Sequence, residues 1–270
     1  MSAAADHGNG RFTALVLAGS RGPSDAVAAA AGLSHKALVP IAGRPMLLRV
    51  LDTLRQSPRI GRIAVCLDRP ELTAALPELQ RLVDGGAILI TPAGPTPSRS
   101  VLLGLERLGR PLPLLVTTGD HPLLTPAMVE HFLAAATGRG ADVAVAVATE
   151  SVVQRAYPET RRTYVRLADG GVTGCNLFAF LGQDASRAAE FWTQVERYRK
   201  QPWRLFAAAG PVSLALFLLG RLDLDQAIAR LGRRLGITGL AVRMPFAEAA
   251  IDVDKPSDRD LAERILGARR

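Results

Sequence analysis

Four places in the chain bring together side chains able to handle a polyphosphate. Gly19-Ser20-Arg21-Gly22-Pro23 combines two glycines, a hydroxyl and a guanidinium, so backbone N–H groups and Arg21 could converge on phosphate oxygens. Lys36 follows in Ser34-His35-Lys36-Ala37-Leu38-Val39-Pro40, ahead of a turn at Ala42-Gly43-Arg44-Pro45. Asp120 stands in Gly119-Asp120-His121-Pro122-Leu123, directly after an apolar run. Asp252 and Asp254 are two positions apart, so in an extended segment they point the same way and can approach one metal ion or phosphate. Mg2+ prefers hard oxygen ligands and commonly takes one or two protein carboxylates plus substrate phosphates. Asp120 and Asp252 are the preferred ligands, with Asp254 as second choice. Plainer roles compete. The glycine loop alone is equally an ordinary strand-to-helix turn. Asp120 is not needed as a helix cap, because Thr125-Pro126 already supplies a cap and a first-turn proline.

Those residues need a frame. Residues 13–18 form a short, nearly all-apolar run, as a parallel strand covered on both faces does, and the run stops at Gly19. Further strands are predicted at 60–67, 87–90, 113–118, 142–149 and 239–244, with 164–167 and 172–180 flanking a turn at Asp169-Gly170-Gly171. Apolar periodicity predicts helices from Met46, over 71–83, from Val101, through Leu133, over 225–235 and at the C-terminal end. Strands alternating with helices predict an α/β fold, a Rossmann-like mixed, mainly parallel sheet sandwiched by helices, with a helical insert late in the chain. Ligands gather at the carboxyl ends of such strands, where Gly19 and Asp120 fall. The loop at 91–100 carries Pro92, Pro95 and Pro97 and ends in Ser98-Arg99-Ser100; these serines either cap the next helix or present hydroxyls to a base edge.

At 270 residues, 48% hydrophobic and 21% charged, the chain can bury a large core. The expected organisation is a flexible tail over 1–10 and a single domain over 11–270, with 186–236 as a helical insert or cover. The sequence has no apolar run of about 18 residues and its start lacks a signal-peptide pattern, so a cytoplasmic location is expected. Cys66 and Cys175 match no paired metal or redox spacing, which argues against zinc and disulfides. The net charge of +8 suits a protein that handles anions. With aromatics at only 5% and no nucleic-acid-binding motif, a nucleic-acid partner is not expected.

The order of these motifs resembles the opening of the MobA-like, sugar-phosphate and methylerythritol-phosphate nucleotidyltransferases, roughly LAAGxGxR…PK…GxPLL. The chain thus resembles the MobA-like NTP transferase family, with its GT-A-like nucleotide-diphospho-sugar transferase fold. Asp120-His121-Pro122-Leu123 is similar to the family's Asp-x-Pro-Leu motif, and Asp252-Val253-Asp254-Lys255-Pro256-Ser257-Asp258 to its closing stretch. Ser100-Val101-Leu102-Leu103-Gly104-Leu105 looks like the helix start behind the nucleobase loop. The glycine loop is shorter than usual, an Ala-rich insert precedes Lys36, and Pro97 stands where the methylerythritol-phosphate enzymes carry an arginine. The resemblance implies transfer of an NMP group from an NTP, CTP or GTP favoured, to a phosphorylated small-molecule acceptor, with Mg2+ and release of pyrophosphate. It places Leu17, Ala18, Gly19, Ser20, Arg21, Lys36, Ser98, Ser100 and Gly119 around the nucleotide. Arg21, Lys36 and Asp120 become the catalytic set, and Asn176 and Arg162 acceptor contacts. Two alternatives stay open: a molybdenum-cofactor guanylyl- or cytidylyltransferase, and a non-catalytic nucleotide-binding subunit.

From Ser186 to Leu235 the chain departs from a minimal domain of this kind. Phe191, Trp192, Tyr198, Trp203 and Phe206 alternate with Arg197, Arg199, Lys200 and Arg204, and 207–220 is strongly apolar. Such a unit fits a helical cover on the sheet, a homodimer interface, or a peripheral contact of 190–220 with the inner face of an anionic membrane. Gly210-Pro211, the shortness of the apolar run and its charged flanks favour the cover.

Overall fold

The computed structural model describes residues 11–20, 25–196 and 201–269. Its strands are β1 Phe12–Leu17, β2 Pro40–Ile41, β3 Arg44–Pro45, β4 Ile60–Leu67, β5 Ile88–Pro92, β6 Leu114–Thr118, β7 Val143–Thr149, β8 Val165–Leu167, β9 Gly170–Phe180 and β10 Gly239–Arg243. β2 and β3 pair as a small hairpin through Ala42 and Gly43, both left-handed. The other eight form one sheet of order β10, β7, β9, β6, β1, β4, β5, with β8 paired to β9. β1 lies parallel to β4 and β6, β4 to β5, and β7 to β10, while β9 runs antiparallel to β6 and β7. The sheet is therefore mixed and mainly parallel, as expected. From β1 the chain moves to β4 and β5 on one side and to β6 on the other. That reversal opens a crevice at the carboxyl ends of β1 and β6.

The helices are α1 Ala26–Ala30, α2 Met46–Gln56, α3 Leu72–Ala75, α4 Pro77–Asp84, α5 Pro97–Arg107, α6 Pro126–Ala136, α7 Glu150–Ala156, α8 Ser186–Val195, α9 Pro202–Ala208, α10 Pro211–Leu218, α11 Leu224–Leu235 and α12 Pro256–Ala268. Alternate residues of β1 serve opposite faces. Ala14 and Val16 join Leu47 and Leu51 of α2 and Phe132 of α6 in one core, whereas Leu15 joins Val101 and Leu105 of α5 and Ala189 of α8 in another. Each fully buried Leu or Phe here contributes about 1.5–3 kcal/mol. α5 sits close to the sheet because residue 104 has no side chain: a Cβ there would come within 2.6 Å of Leu15 Cδ2. α1 and α12 share a third cluster, in which Val27, Ile251, Val253 and Leu261 surround Met46.

Local chemistry moves several predicted boundaries. The helix expected over 71–83 breaks into α3 and α4, because Pro77 has no N–H to donate and holds Leu76 off the helical region at ψ 86°. α5 begins at Pro97, ahead of Val101, and is capped by Thr96, whose Oγ1 accepts from Arg99 N at 3.4 Å. Ser98 and Ser100 thus lie within its first turns and are not caps. The Ala-rich insert forms α1, capped by Asp25. The apolar stretch after 206 is divided into α9 and α10 at Gly210, whose φ of 112° only glycine adopts readily. No helix among the described residues is long and apolar enough to cross a membrane.

Candidate active site

Lys36 opens a short 3₁₀ turn, Lys36–Leu38, and the residue before it fixes that turn. His35 Nδ1 accepts from Ala37 N at 3.0 Å, which leaves Nε2 as the protonated nitrogen; Nε2 donates to Asp68 Oδ1 at 3.0 Å, just past the end of β4. Burial pushes the His35 pKa down against the pull of Asp68, in keeping with a neutral ring. A buried imidazole therefore ties Lys36 to the sheet, a role that no spacing in the sequence singled out.

Lys36 Nζ donates to Asp120 Oδ2 at 2.7 Å and to Asp254 Oδ1 at 2.8 Å. Burial opposes its charge, but the two carboxylates outweigh burial and hold the ammonium pKa above its ordinary value. Asp120 lies two residues past the end of β6, and its carbonyl accepts from Val253 N at 2.9 Å, which pins the closing acidic stretch to the strand end. Arg162 donates to Asp252 Oδ1 and, at 3.0 Å, to the Asp252 carbonyl. Asn176 Nδ2 donates to Asp252 Oδ2 at 3.1 Å. Asn176 has a φ of 51° inside β9, where the pairing with β7 changes register between Val145 and Val147. Left-handed backbone is rare outside glycine, and Asn is among the residues that tolerate it. Burial raises the Asp252 pKa; the nearby Asp120 carboxylate adds to this and Arg162 opposes it.

These residues fit a hard divalent cation. One oxygen each of Asp120, Asp252 and Asp254 falls within a sphere of mutual distances no greater than 4.8 Å. Asp120 Oδ1 is buried with no hydrogen-bond partner among the described residues, as are Thr117 Oγ1, Thr118 Oγ1 and His121 Nδ1 beside it in sequence. An orphaned buried carboxylate oxygen next to two further carboxylates has the donor chemistry of a Mg2+ site.

Leu17, Ala18, Gly19, Lys36, Gly119 and Asp120 line one recess of about 90 Å³ together with Asp25, His35 and Ala37. A Cβ on Gly119 would approach Ala18 Cβ to 3.1 Å and Leu47 Cδ1 to 3.2 Å, so the loops after β1 and β6 pack closely. Gly19 does not take the left-handed backbone its residue type allows. Ser20 borders the same loop, whereas Arg21 and Gly22 lie outside the described residues. Ser98 and Ser100 do not line the recess. Ser98 donates to the Glu196 carboxylate, and Ser100 Oγ accepts from Gly94 N at 2.9 Å and donates to the Thr96 carbonyl at 3.0 Å. Both hydroxyls brace the proline-rich loop. Arg166, upstream of Asn176, pairs with Glu150 on the surface. His121 Nε2 donates to the Glu248 carbonyl at 3.1 Å, and burial lowers its pKa, so it is a neutral structural histidine.

Known proteins similar to this chain are nucleotidyltransferases or transferases by name. A curated relative from Afipia carboxidovorans named 3-deoxy-manno-octulosonate cytidylyltransferase is 34% identical over 252 residues, covering 88% of this chain and 93% of the relative. A protein of the same name from Rhodospirillum centenum is 29% identical over 259 residues, covering 89% of this chain and 91% of that protein. Among solved structures, a hypothetical transferase from Thermus thermophilus matches with a TM-score of 0.74 at 32% identity, over 92% of this chain and 99% of that one. The family model described as the MobA-like NTP transferase domain matches residues 14–215. The chain belongs to the MobA-like NTP transferase family.

Proposed function

We propose that this protein transfers a cytidylyl group from CTP to an anionic small-molecule acceptor and releases pyrophosphate. The observation that carries the reading is Lys36 held between Asp120 and Asp254 at the carboxyl end of β6, with Asp252 beside them. The names of both relatives specify a cytidylyltransferase, which favours CTP over GTP and lends nothing to a molybdenum-cofactor acceptor.

An acceptor oxygen attacks the α-phosphorus in line, the bond from that phosphorus to the α,β-bridging oxygen breaks, and pyrophosphate leaves with the electron pair. A phosphate acceptor is already ionised at neutral pH and needs no general base. The requirement is to bring two anions together and to neutralise charge as it moves to the leaving group. Lys36, charged throughout, grips phosphate oxygens at the mouth of the β1–β6 crevice, and Arg21 adds a second cation from the glycine loop. Asp120 and Asp252, with Asp254 as second choice, would hold Mg2+, which would supply further positive charge to the phosphates. Arg162 and Asn176 stand on the acceptor side; both bond to Asp252, so acceptor binding is felt at that carboxylate.

A sugar acid in place of a phosphate is the second reading, favoured by the octulosonate in the relatives' names. Pyrophosphate release from CTP and Mg2+, measured against a panel of sugar phosphates, alcohol phosphates and 3-deoxy sugar acids, separates the two. Release with a member of one class is expected. The absence of release from CTP with every acceptor sinks the reading, and its absence with the other nucleoside triphosphates as well leaves a non-catalytic nucleotide-binding subunit.

A further inference from the structure

The hairpin of α9 and α10 takes no part in the nucleotide site, and its surface is inverted. Ser213, the one hydroxyl-bearing residue of α10, is 2% exposed, while Val212 and Leu218 are 57% and 69% exposed and Leu219, directly after the helix, is 67% exposed. Trp203 in α9 is 46% exposed, and these four are the exposed large hydrophobic side chains among the described residues. A surface helix normally turns its apolar stripe to the core. Here the core-facing side is already anchored: Phe206 and Phe217 stack with ring centroids 4.3 Å apart, and Phe206 clusters with Leu222 and Ala227. The outward apolar residues thus belong to a packed element, and their concentration in one hairpin marks an interaction surface.

The surrounding charge says what that surface meets. Residues 201–222 contain Arg204 and Arg221 and no Asp or Glu. Arg230 and Arg233 of α11 border a recess of about 250 Å³ together with Gly210, Pro211 and Val212 at the start of α10. The Arg204 guanidinium lies 5.0 Å from the centre of the Trp203 ring, an aromatic–cation pair suited to a boundary between water and an apolar phase. A second copy docked through the same face would set two surfaces of cationic excess against each other, which is unfavourable. Asp223 is taken up as the cap of α11 and Asp225 pairs with Arg243, so an apolar surface with Arg204, Arg221, Arg230 and Arg233 on or next to it complements a sheet of anionic headgroups over hydrocarbon.

We propose that the α9–α10 hairpin docks on an anionic lipid bilayer, with Trp203, Val212, Leu218 and Leu219 entering the headgroup–acyl boundary and Arg204, Arg221, Arg230 and Arg233 meeting lipid phosphates. The helices lie on the membrane and do not cross it, in keeping with their length. The inference is independent of the acceptor. The test is co-sedimentation of the full chain with vesicles of phosphatidylcholine alone and with vesicles containing about one third phosphatidylglycerol. Binding only to the anionic vesicles, weakened by salt, is expected. Leu218→Glu with Leu219→Glu should abolish it. Arg230→Gln with Arg233→Gln should weaken it roughly thirtyfold, from about one unit of headgroup attraction per arginine. All four side chains lie on the surface or beside the recess, and an unchanged thermal midpoint confirms that each variant is folded. Failure to bind anionic vesicles at low salt, equal binding to neutral ones, or wild-type binding by the double Leu variant overturns the proposal. So does concentration-dependent dimerisation without lipid that the double Leu variant removes, since the patch then belongs to a second copy.

Discussion

Replacing Lys36 by Met keeps most of the side-chain volume and removes the ammonium bonded to Asp120 and Asp254. Each contact is worth about 4 kcal/mol gross at an effective dielectric of about 20, and removing the ammonium from water takes several kcal/mol back. Asp120 is 24% and Asp254 45% exposed, so solvent screens part of the attraction. A net loss of about 3 kcal/mol at neutral pH follows, at the low end for breaking a buried pair. The corresponding drop in thermal midpoint is roughly 6–12 °C. The pH trend is also determined. Lys36 has a folded pKa above its ordinary value of about 10.4, so the wild-type stabilisation is present through neutral pH and lost only in strong alkali. In the variant the carboxylates of Asp120, Asp252 and Asp254 repel one another without that cation, and burial already holds Asp252 above the ordinary carboxyl range. A carboxyl with a raised folded pKa is most stabilising below its unfolded value, about 3.9, and loses that contribution as pH rises through the folded value. The variant's deficit should therefore shrink on acidification from about pH 7 toward about pH 4, the unfolded carboxyl value. Urea denaturation at the two pH values reads both effects. A variant within about 0.5 kcal/mol of wild type at neutral pH, or a deficit that widens in acid, refutes the reasoning.

Substitutions at three further positions follow from the geometry. Asp120→Asn, which keeps the shape and leaves Lys36 its contact with Asp254 while removing a charge beside Asp252, should lower pyrophosphate release at least about 10²–10³-fold with a smaller drop in thermal midpoint than Lys36→Met gives; wild-type rates would remove the metal role. His35→Ala deletes the cap and the bond to Asp68 and should cost about 2 kcal/mol in denaturation. Because the folded pKa of His35 is depressed, its contribution is present above about 6.5 and lost as pH falls through the folded value; the variant should show a flatter stability profile below about pH 6.5. Asn176→Ala and Asn176→Gly both lose the bond to Asp252, but only alanine also bears the left-handed backbone, so alanine should be less stable than glycine by about 1 kcal/mol. Equal stabilities would mean that the backbone at 176 relaxes.

Much of the frame was readable because buried parallel strands are nearly continuous apolar runs. Residues 60–67 coincide with β4, and the strands around 13–18 and 113–118 end with one residue intervening before Gly19 and Asp120. The convergence of Lys36 with Asp120 and Asp254 was readable only as a motif order, since the segments are brought together by the sheet and by the Val253 bond to the Asp120 carbonyl. His35 escaped notice because its partners, Ala37 N and Asp68, are defined by burial and not by spacing. The serines of the proline-rich loop had the right chemistry to cap a helix, yet Thr96 precedes them at the position whose backbone is extended, and the cap went to it. Asn176 was reached only through the family resemblance, as an acceptor contact, because nothing local announces the register change against β7 that accompanies its left-handed backbone.

The most direct test of the central claim, that Lys36 and the carboxylates at 120, 252 and 254 form a nucleotide and metal site, is thermal unfolding with CTP in the presence and absence of Mg2+. At about 100 times its dissociation constant a ligand bound only by the native state adds about 2.7 kcal/mol. The account predicts a shift with CTP that depends on Mg2+ and is lost in Asp120→Asn. No shift with CTP, or the same shift without Mg2+ and in Asp120→Asn, contradicts it.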